Sequence, residues 1–240
     1  MAARVCVFLL VFLLGTYASR DSPPELIVWN VGQGQWATII DDQACWHIDM
    51  GGEFAPWKEI RALCRTRENR ISLSHWDMDH IGFAGGARSQ LPNLCLINAP
   101  EGPASVKKES LVLSLPRCGV PSPYTQWSNP KGKTANAKSW VVLWRGVLAP
   151  GDSPRDQEKL WTRHLEGLEK VRFFILGHHG SRTSTSVELL QRLTHVKLAI
   201  ASSRFRRYGH PHEEVVRELD HARIPLLRTE EWGTIHMRLD

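Results

Sequence analysis

Residues 74–83, SHWDMDHIGF, place His75, Asp77, Asp79 and His80 within six positions. In an extended segment, residues 75 and 77 project to the same side. A helix beginning near Asp79 then offers Asp79 and His80 as a second pair. Imidazole and carboxylate at this density are how proteins hold one or two divalent cations. Titratable groups so crowded are costly unless a cation neutralises them. Taken alone, the pattern also fits a polar turn rich in such groups. Three further polar groups stand where strands are expected to end: Asp49 in IDMGG, Asp152 in LAPGDS, and the His178-His179 pair in ILGHHGS. Strand ends that open at one rim of a sheet are where α/β active sites assemble. Opposite the first cluster, Asp152 and a histidine complete a two-metal arrangement.

The elements that must position these residues alternate along the chain. ELIVWN (25–30) reads as a strand running into the turn Val31-Gly32-Gln33-Gly34. Strands at 36–40 and 44–48 complete a meander. Apolar residues at helical intervals predict a helix over 57–64, and a strand over 71–74 delivers the opening motif. In the second half the pattern predicts a hairpin at 140–148 and a helix at 157–168. A strand at 171–176 and a helix at 186–193 follow, then a strand at 196–201, a helix at 213–222 and a closing strand at 233–238. Residues 100–135 are proline-rich with little periodicity and read as a long surface insertion. Strands followed by helices in both halves argue for an α/β layered architecture.

Residues 5–15, VCVFLLVFLLG, form a short apolar run behind a basic start. Small residues follow near Ala18. This is the layout of a secretory signal peptide over residues 1–18, leaving a single domain over 19–240 with no stable membrane span. Export to a periplasmic or secreted location is expected. Cys45, Cys64, Cys95 and Cys118 remain, without a C-x-x-C pair. One or two disulfides and buried free thiols are both open readings. The formal charge of +5 favours an anionic substrate. Basic residues cluster at Lys107-Lys108, at Lys131/Lys133 and at Arg204/Arg206/Arg207, of which the last adjoins the motif YGHP.

Six segments occur in order: NVGQGQWATII, IDMGG, SHWDMDHIGF, TANAKSWVVLWRGVLAPGD, ILGHHGSRTSTS and YGHPHEEVVREL. Together they resemble the metallo-β-lactamase-type domain of ComEC-type competence proteins and their free-standing relatives, across nearly all of residues 26–236. The resemblance implies a four-layer αββα sandwich with a metal site between two sheets. It implies that His75 and Asp77 bind one metal, that Asp79 and His80 serve a second, and that Asp152 bridges the two. One histidine of the 178–179 pair would complete the second site; His178 is favoured as nearer the strand end, with His179 its rival. His210 would face the substrate.

The chain also departs from the family pattern. Asp77 stands where many members carry histidine, and no histidine lies between His80 and Asp152; the Asn136–Ser139 segment occupies that region. The usual GQGD is GQGQ here, ending in Gln35. An oxygen-rich first position shifts preference from Zn2+ toward Mn2+ or Mg2+.

The expected chemistry is metal-dependent hydrolysis of a phosphodiester, a nuclease reaction on DNA, by one or two divalent ions. In this reading Asp79 orients the attacking water and His210 assists the leaving group. Arg204 and Arg207 track a phosphate backbone, and Ser181, Thr183 and Ser184 either donate to a phosphate or cap the next helix. Asn136 supports the ligands from behind, and Asp49 either does the same or caps its own turn. The alternatives are an exported hydrolase of a small phosphodiester or envelope polymer, and a catalytically impaired protein that binds metal or nucleic acid. His47 is read as packing, and Trp76 as packing in preference to stacking on a base.

Overall fold

Successive side chains of a strand point to opposite faces, and most strands here are apolar on both. Leu26 and Val28 face one apolar cluster while Ile27 and Trp29 face another. In the second half, Phe173 and Ile175 share the cluster of Leu26, whereas Phe174 joins a third. Three apolar clusters stacked in this way require four layers of secondary structure.

The structure, a computed structural model, describes residues 23–239. Its first half runs β1 (Glu25–Val28), β2 (Ala37–Ile40), β3 (Ala44–Ile48), α1 (Trp57–Cys64), β4 (Glu68–Ser72), α2 (Met78–Ile81), α3 (Ala84–Gln90), β5 (Leu94–Asn98) and α4 (Val106–Leu113). The second half runs β6 (Thr125–Trp127), β7 (Val141–Trp144), β8 (Val147–Ala149), α5 (Arg155–His164), β9 (Phe173–Ile175), α6 (Val187–Arg192), β10 (Leu198–Ala201), α7 (Phe205–Tyr208), α8 (Glu213–His221), β11 (Leu226–Arg228), α9 (Thr229–Trp232) and β12 (Ile235–Arg238). One six-stranded sheet has the order β12-β1-β2-β3-β4-β5, the other β11-β10-β9-β8-β7-β6. Leu26, Ile39, Val142, Ile175 and Ile200 fill the space between the sheets. The outer face of the first sheet buries Ile60 of α1 and Val112 of α4, and that of the second buries Trp161 of α5 and Val215 of α8. This is the expected αββα sandwich.

Three expectations need correcting. The strand expected at 71–74 lies at Glu68–Ser72, so Leu73 and Ser74 form an extended link into the His75 motif. The helix expected to reach 168 stops at His164, and Gly167 then takes a left-handed conformation (φ 86°) that an uninterrupted helix cannot hold. Residues 100–135 are not a plain insertion. They contain α4, capped by the Ser105 hydroxyl, and the short edge strand β6. Neither carries a long periodic pattern, which is why proline content dominated the reading.

Two disulfides, Cys45–Cys64 and Cys95–Cys118, use all four cysteines of the described region, which settles the open alternative against free thiols. Cys6 and the expected signal segment 1–18 lie outside the described residues. Among the described residues no helix is long and apolar enough to cross a membrane.

His47 is buried in the first sheet, as the packing reading expects. Its Nδ1 faces the Trp36 indole N–H and the Thr38 hydroxyl, and its Nε2 faces the Asn69 side-chain oxygen. Burial pushes its pKa down to about 4, with the Asn69 contact opposing. The unfolded chain binds this proton near pH 6.5 and the folded chain does not, so stability declines as pH falls from about 6.5 to about 4. The expected loss from this residue is on the order of 3 kcal/mol. Urea unfolding at pH 7 and pH 4.5 checks it: His47→Gln should show a pH slope smaller than wild type by about one proton. Equal slopes would show that His47 titrates normally.

Candidate metal centre

β3, β4 and β5 are parallel neighbours, as are β8, β9, β10 and β11. Their C-terminal ends therefore open at a common rim, where Asp49 follows β3, Ser74-His75 follow β4, Asp152 follows β8 and His178-His179 follow β9. Two glycine-rich turns clamp the backbone of α2 from below. Gln35 N–H donates to Asp79 O at 2.9 Å and Met50 N–H to His80 O at 2.8 Å. A Cβ on Gly51 would lie 2.3 Å from His80 N, so only glycine permits this approach.

The expected ligands converge on the two oxygens of Asp152. Around Oδ1 stand His80 Nε2 at 3.0 Å and His179 Nε2 at 3.8 Å; the two imidazole nitrogens are 3.2 Å apart. Asp79 Oδ2 is 3.2 Å from His179 Nε2. Around Oδ2 stand His75 Nε2 at 3.7 Å and His178 Nε2 at 3.6 Å, and Asp77 Oδ2 is 3.5 Å from His75 Nε2. Two groups, His75/His80/Asp152 and Asp79/His80/His179, bring their donor atoms close enough to share one cation.

Hydrogen bonds behind the rings fix which nitrogen faces inward. His179 Nδ1 lies 2.9 Å from the Ser202 carbonyl, which only accepts, so this nitrogen carries the proton. His80 Nδ1 likewise donates to Asp49 Oδ2 at 2.8 Å. The Ser74 hydroxyl donates to Asp49 at 2.9 Å and so accepts from His75 Nδ1 at 3.0 Å. With Nδ1 engaged behind each ring, the Nε2 atoms of His75, His80 and His179 all face Asp152. His75 Nε2 and Asp152 Oδ1 are buried without a hydrogen-bond partner among the described residues. Acceptors facing acceptors in a buried site require a cation. The residues thus fit a divalent metal, and a proton on His80 is the substitute. Burial opposes charge on His80, yet Asp152 and Asp49 hold its pKa well above the usual imidazole value. Burial also opposes ionisation of Asp152, but His80, His179 and His75 hold its carboxyl well below the usual range.

His179, and not the favoured His178, stands with Asp79 and His80. Both residues adopt left-handed backbone angles, with φ of 48° and 56°. That turn swings His179 inward to near-complete burial and leaves His178 above the opposite oxygen of Asp152, with Nδ1 beside the Thr183 hydroxyl at 3.0 Å. Nearness to the strand end therefore did not decide which ring reaches Asp79.

The other expected residues divide. Asp49 is fully buried and accepts from Gln35 Nε2, Ser74 N–H, Ser74 Oγ–H and His80 Nδ1. Gln35 in place of an acid thus has a local meaning: an amide donates where a second carboxylate would face Asp49. His210 lies near His178, with ring centroids 6.1 Å apart, and its Nδ1 is buried without a hydrogen-bond partner among the described residues. Asn136 lines a groove next to His178 but has no hydrogen bond to any of the clustered ligands. The Ser181 hydroxyl is buried against Thr183 and supports the His178 turn. Arg204 and Arg207 share the one Glu53 carboxylate, at 2.8 and 2.9 Å, so their charge is only partly offset. Trp76 is buried and donates to Gly102 O. Site residues that sequence reasoning missed are Ser74 and Lys108, whose Nζ is 3.3 Å from Asp77 Oδ1. A serine directly before His75 was visible, but its link to Asp49 needed the fold.

Asp49→Ala should lower divalent-cation affinity by roughly 10–100-fold by freeing the His80 and His75 rings. Isothermal titration with Mn2+ measures this; equal affinity would show that the rings are held by other means.

No family model matches the chain. It is 26% identical over 269 residues to ComE operon protein 3 of Bacillus subtilis (strain 168), covering 95% of this chain and 34% of that protein. The chain therefore spans about a third of the length of that curated relative. Among solved structures it is similar to a diphosphatase of the PhnP family (TM-score 0.54, 14% identity, 90% of this chain and 98% of that one). It is also similar to the metallo-β-lactamase fold protein YhfI of Bacillus subtilis (TM-score 0.55, 10% identity, 89% of this chain and 100% of that one). The chain has the metallo-β-lactamase fold, and nearly its whole length resembles one third of a competence protein.

Proposed function

We propose that the protein is a metal-dependent hydrolase of phosphodiesters, a nuclease with DNA as its leading substrate. The observation that carries this reading is the convergence of four imidazole nitrogens on the two oxygens of the buried Asp152. His75 and Asp77 would hold one ion, with His178 beside them. Asp79, His80 and His179 would hold a second, and Asp152 would serve both. A bound divalent ion supplies Lewis acidity, drawing charge from a phosphoryl oxygen and acidifying water.

The chain's own residues do the positioning. Asp79 lines the groove over the cluster and orients the attacking water. Burial raises its pKa, but His179 and His80 hold it below the usual carboxylate range, so it stays anionic and acts as an orienting acceptor. His210 lines the same groove and contacts the phosphate or hands a proton to the leaving oxygen. The similarity to a competence protein and the likeness to a diphosphatase support phosphorus-ester chemistry. We also place the protein in an oxidising compartment outside the cytoplasm, a reading that the two disulfides support.

The test is a cleavage assay on single-stranded and duplex DNA with Mn2+ or Zn2+. Chelation should abolish cleavage and added metal restore it. Asp152→Asn should lower kcat/KM at least about a thousandfold, and Asp79→Ala should lower kcat. Metal bound at the cluster with no phosphodiester cleaved would overturn the reading.

A further inference from the structure

Two open grooves share one wall residue, His178, and are otherwise built from different segments. The first, about 730 Å³, lies between the loop at residues 129–137 and the start of α5. Lys131 and Lys133 line it; both are exposed, and neither ammonium has a carboxylate partner among the described residues. Asp156 also lines it, but its carboxylate accepts from the Gln157 amide at 3.0 Å. The second groove, about 610 Å³, runs between α2 and α7 past Asp79 and His210. Met78 and Tyr208 present exposed apolar surface there. On that side Arg204 and Arg207 share the single Glu53 carboxylate, and the Arg207 guanidinium covers one face of the Tyr208 ring, 5.2 Å from its centroid.

An enclosed pocket buries most of a small ligand. Open grooves meeting at the cluster instead suit a chain that enters on one side and leaves on the other. Free lysines track phosphates, while an exposed aromatic offers a stacking platform for a base or sugar. We propose that the loop carrying Lys131 and Lys133 is a strand-binding arm. It holds the phosphates of a nucleic-acid strand on one side of the scissile bond, with a nucleotide on the other side resting on Tyr208. This rests on the phosphodiesterase reading above and makes the protein prefer polymeric over small diesters.

The experiment compares wild type with Lys131→Ala/Lys133→Ala in the full chain. It measures kcat/KM for a thymidine strand of about 20 nucleotides and for bis(p-nitrophenyl) phosphate across a range of NaCl concentrations. The strand-to-small-diester ratio should fall about tenfold in the double variant, and the log–log salt slope for the strand should become shallower by about 1.4. An unchanged ratio and an unchanged slope would overturn the arm. Fluorescence anisotropy of a labelled strand, with Ca2+ replacing Mn2+, separates the two levels. If wild type cleaves neither substrate but binds the strand more tightly than the double variant, the arm stands and the phosphodiesterase reading falls.

Discussion

A carboxylate with no access to water is tolerated only if its lone pairs are used. Asp49 meets that condition through four donors from three separate segments: Gln35 of the first glycine turn, Ser74 after β4 and His80 of α2. Because the acceptor is charged, each bond is of the stronger, charge-assisted kind. The consequence is directional. Asp49 takes the Nδ1 proton of His80 directly and that of His75 through the Ser74 hydroxyl, so both rings aim bare Nε2 atoms at Asp152. A residue that touches none of the facing acceptors thus decides what they can bind. A neutral residue at position 49 would leave the rings free to turn or to change tautomer.

The opposite wall of the centre is fixed differently, by backbone strain. Two successive non-glycine residues, His178 and His179, sit in the left-handed region, at a cost of roughly 1–2 kcal/mol each. Several contacts offset that cost. His178 N–H donates to Gly151 O, Ser181 N–H to His178 O, and His179 Nδ1 to Ser202 O. Gly180 packs so tightly on Pro211 that a Cβ there would lie 2.5 Å from the proline ring. Strain of this kind persists where the surroundings over-determine it, and it concentrates at functional sites. Here it sends adjacent side chains to opposite oxygens of one carboxylate, which a regular strand or helix cannot do.

Much of this was legible in the sequence because the informative residues sit at strand ends, and strand ends are marked by apolar runs that stop at glycine. Asp49, Asp152 and the histidine pair all announce themselves in this way, and the alternation of Leu26 to Trp29 is enough to imply two buried faces. What was not legible depends on contacts between distant segments. The choice between His178 and His179 turns on backbone angles that no residue type there requires. Lys131 and Lys133 look like ordinary solvated charge until α5 and His178 appear beside them, while Arg204 and Arg207 look available until Glu53 does. β5 and β6 escaped notice for a different reason. LCLIN is short and interrupted by a disulfide cysteine, and TQW is an edge strand with one exposed face.

The two halves of the centre are unequal, and Lys108 shows why. Around Asp152 Oδ1, His80 and His179 are buried and Asp79 closes the set, with no ammonium or guanidinium paired to any of them among the described residues. Around Oδ2, the Asp77 carboxylate is shared between His75 and Lys108. Proximity to the His75 ring, opposed by burial and assisted by the Lys108 ammonium, holds Asp77 below the usual carboxylate range. A cation entering this half competes with an ammonium already in place, whereas one entering the other half has only a proton on His80 to displace. The Lys108 ammonium on α4 thus already offsets the Asp77 carboxylate, a positive charge that the Oδ1 half lacks among the described residues.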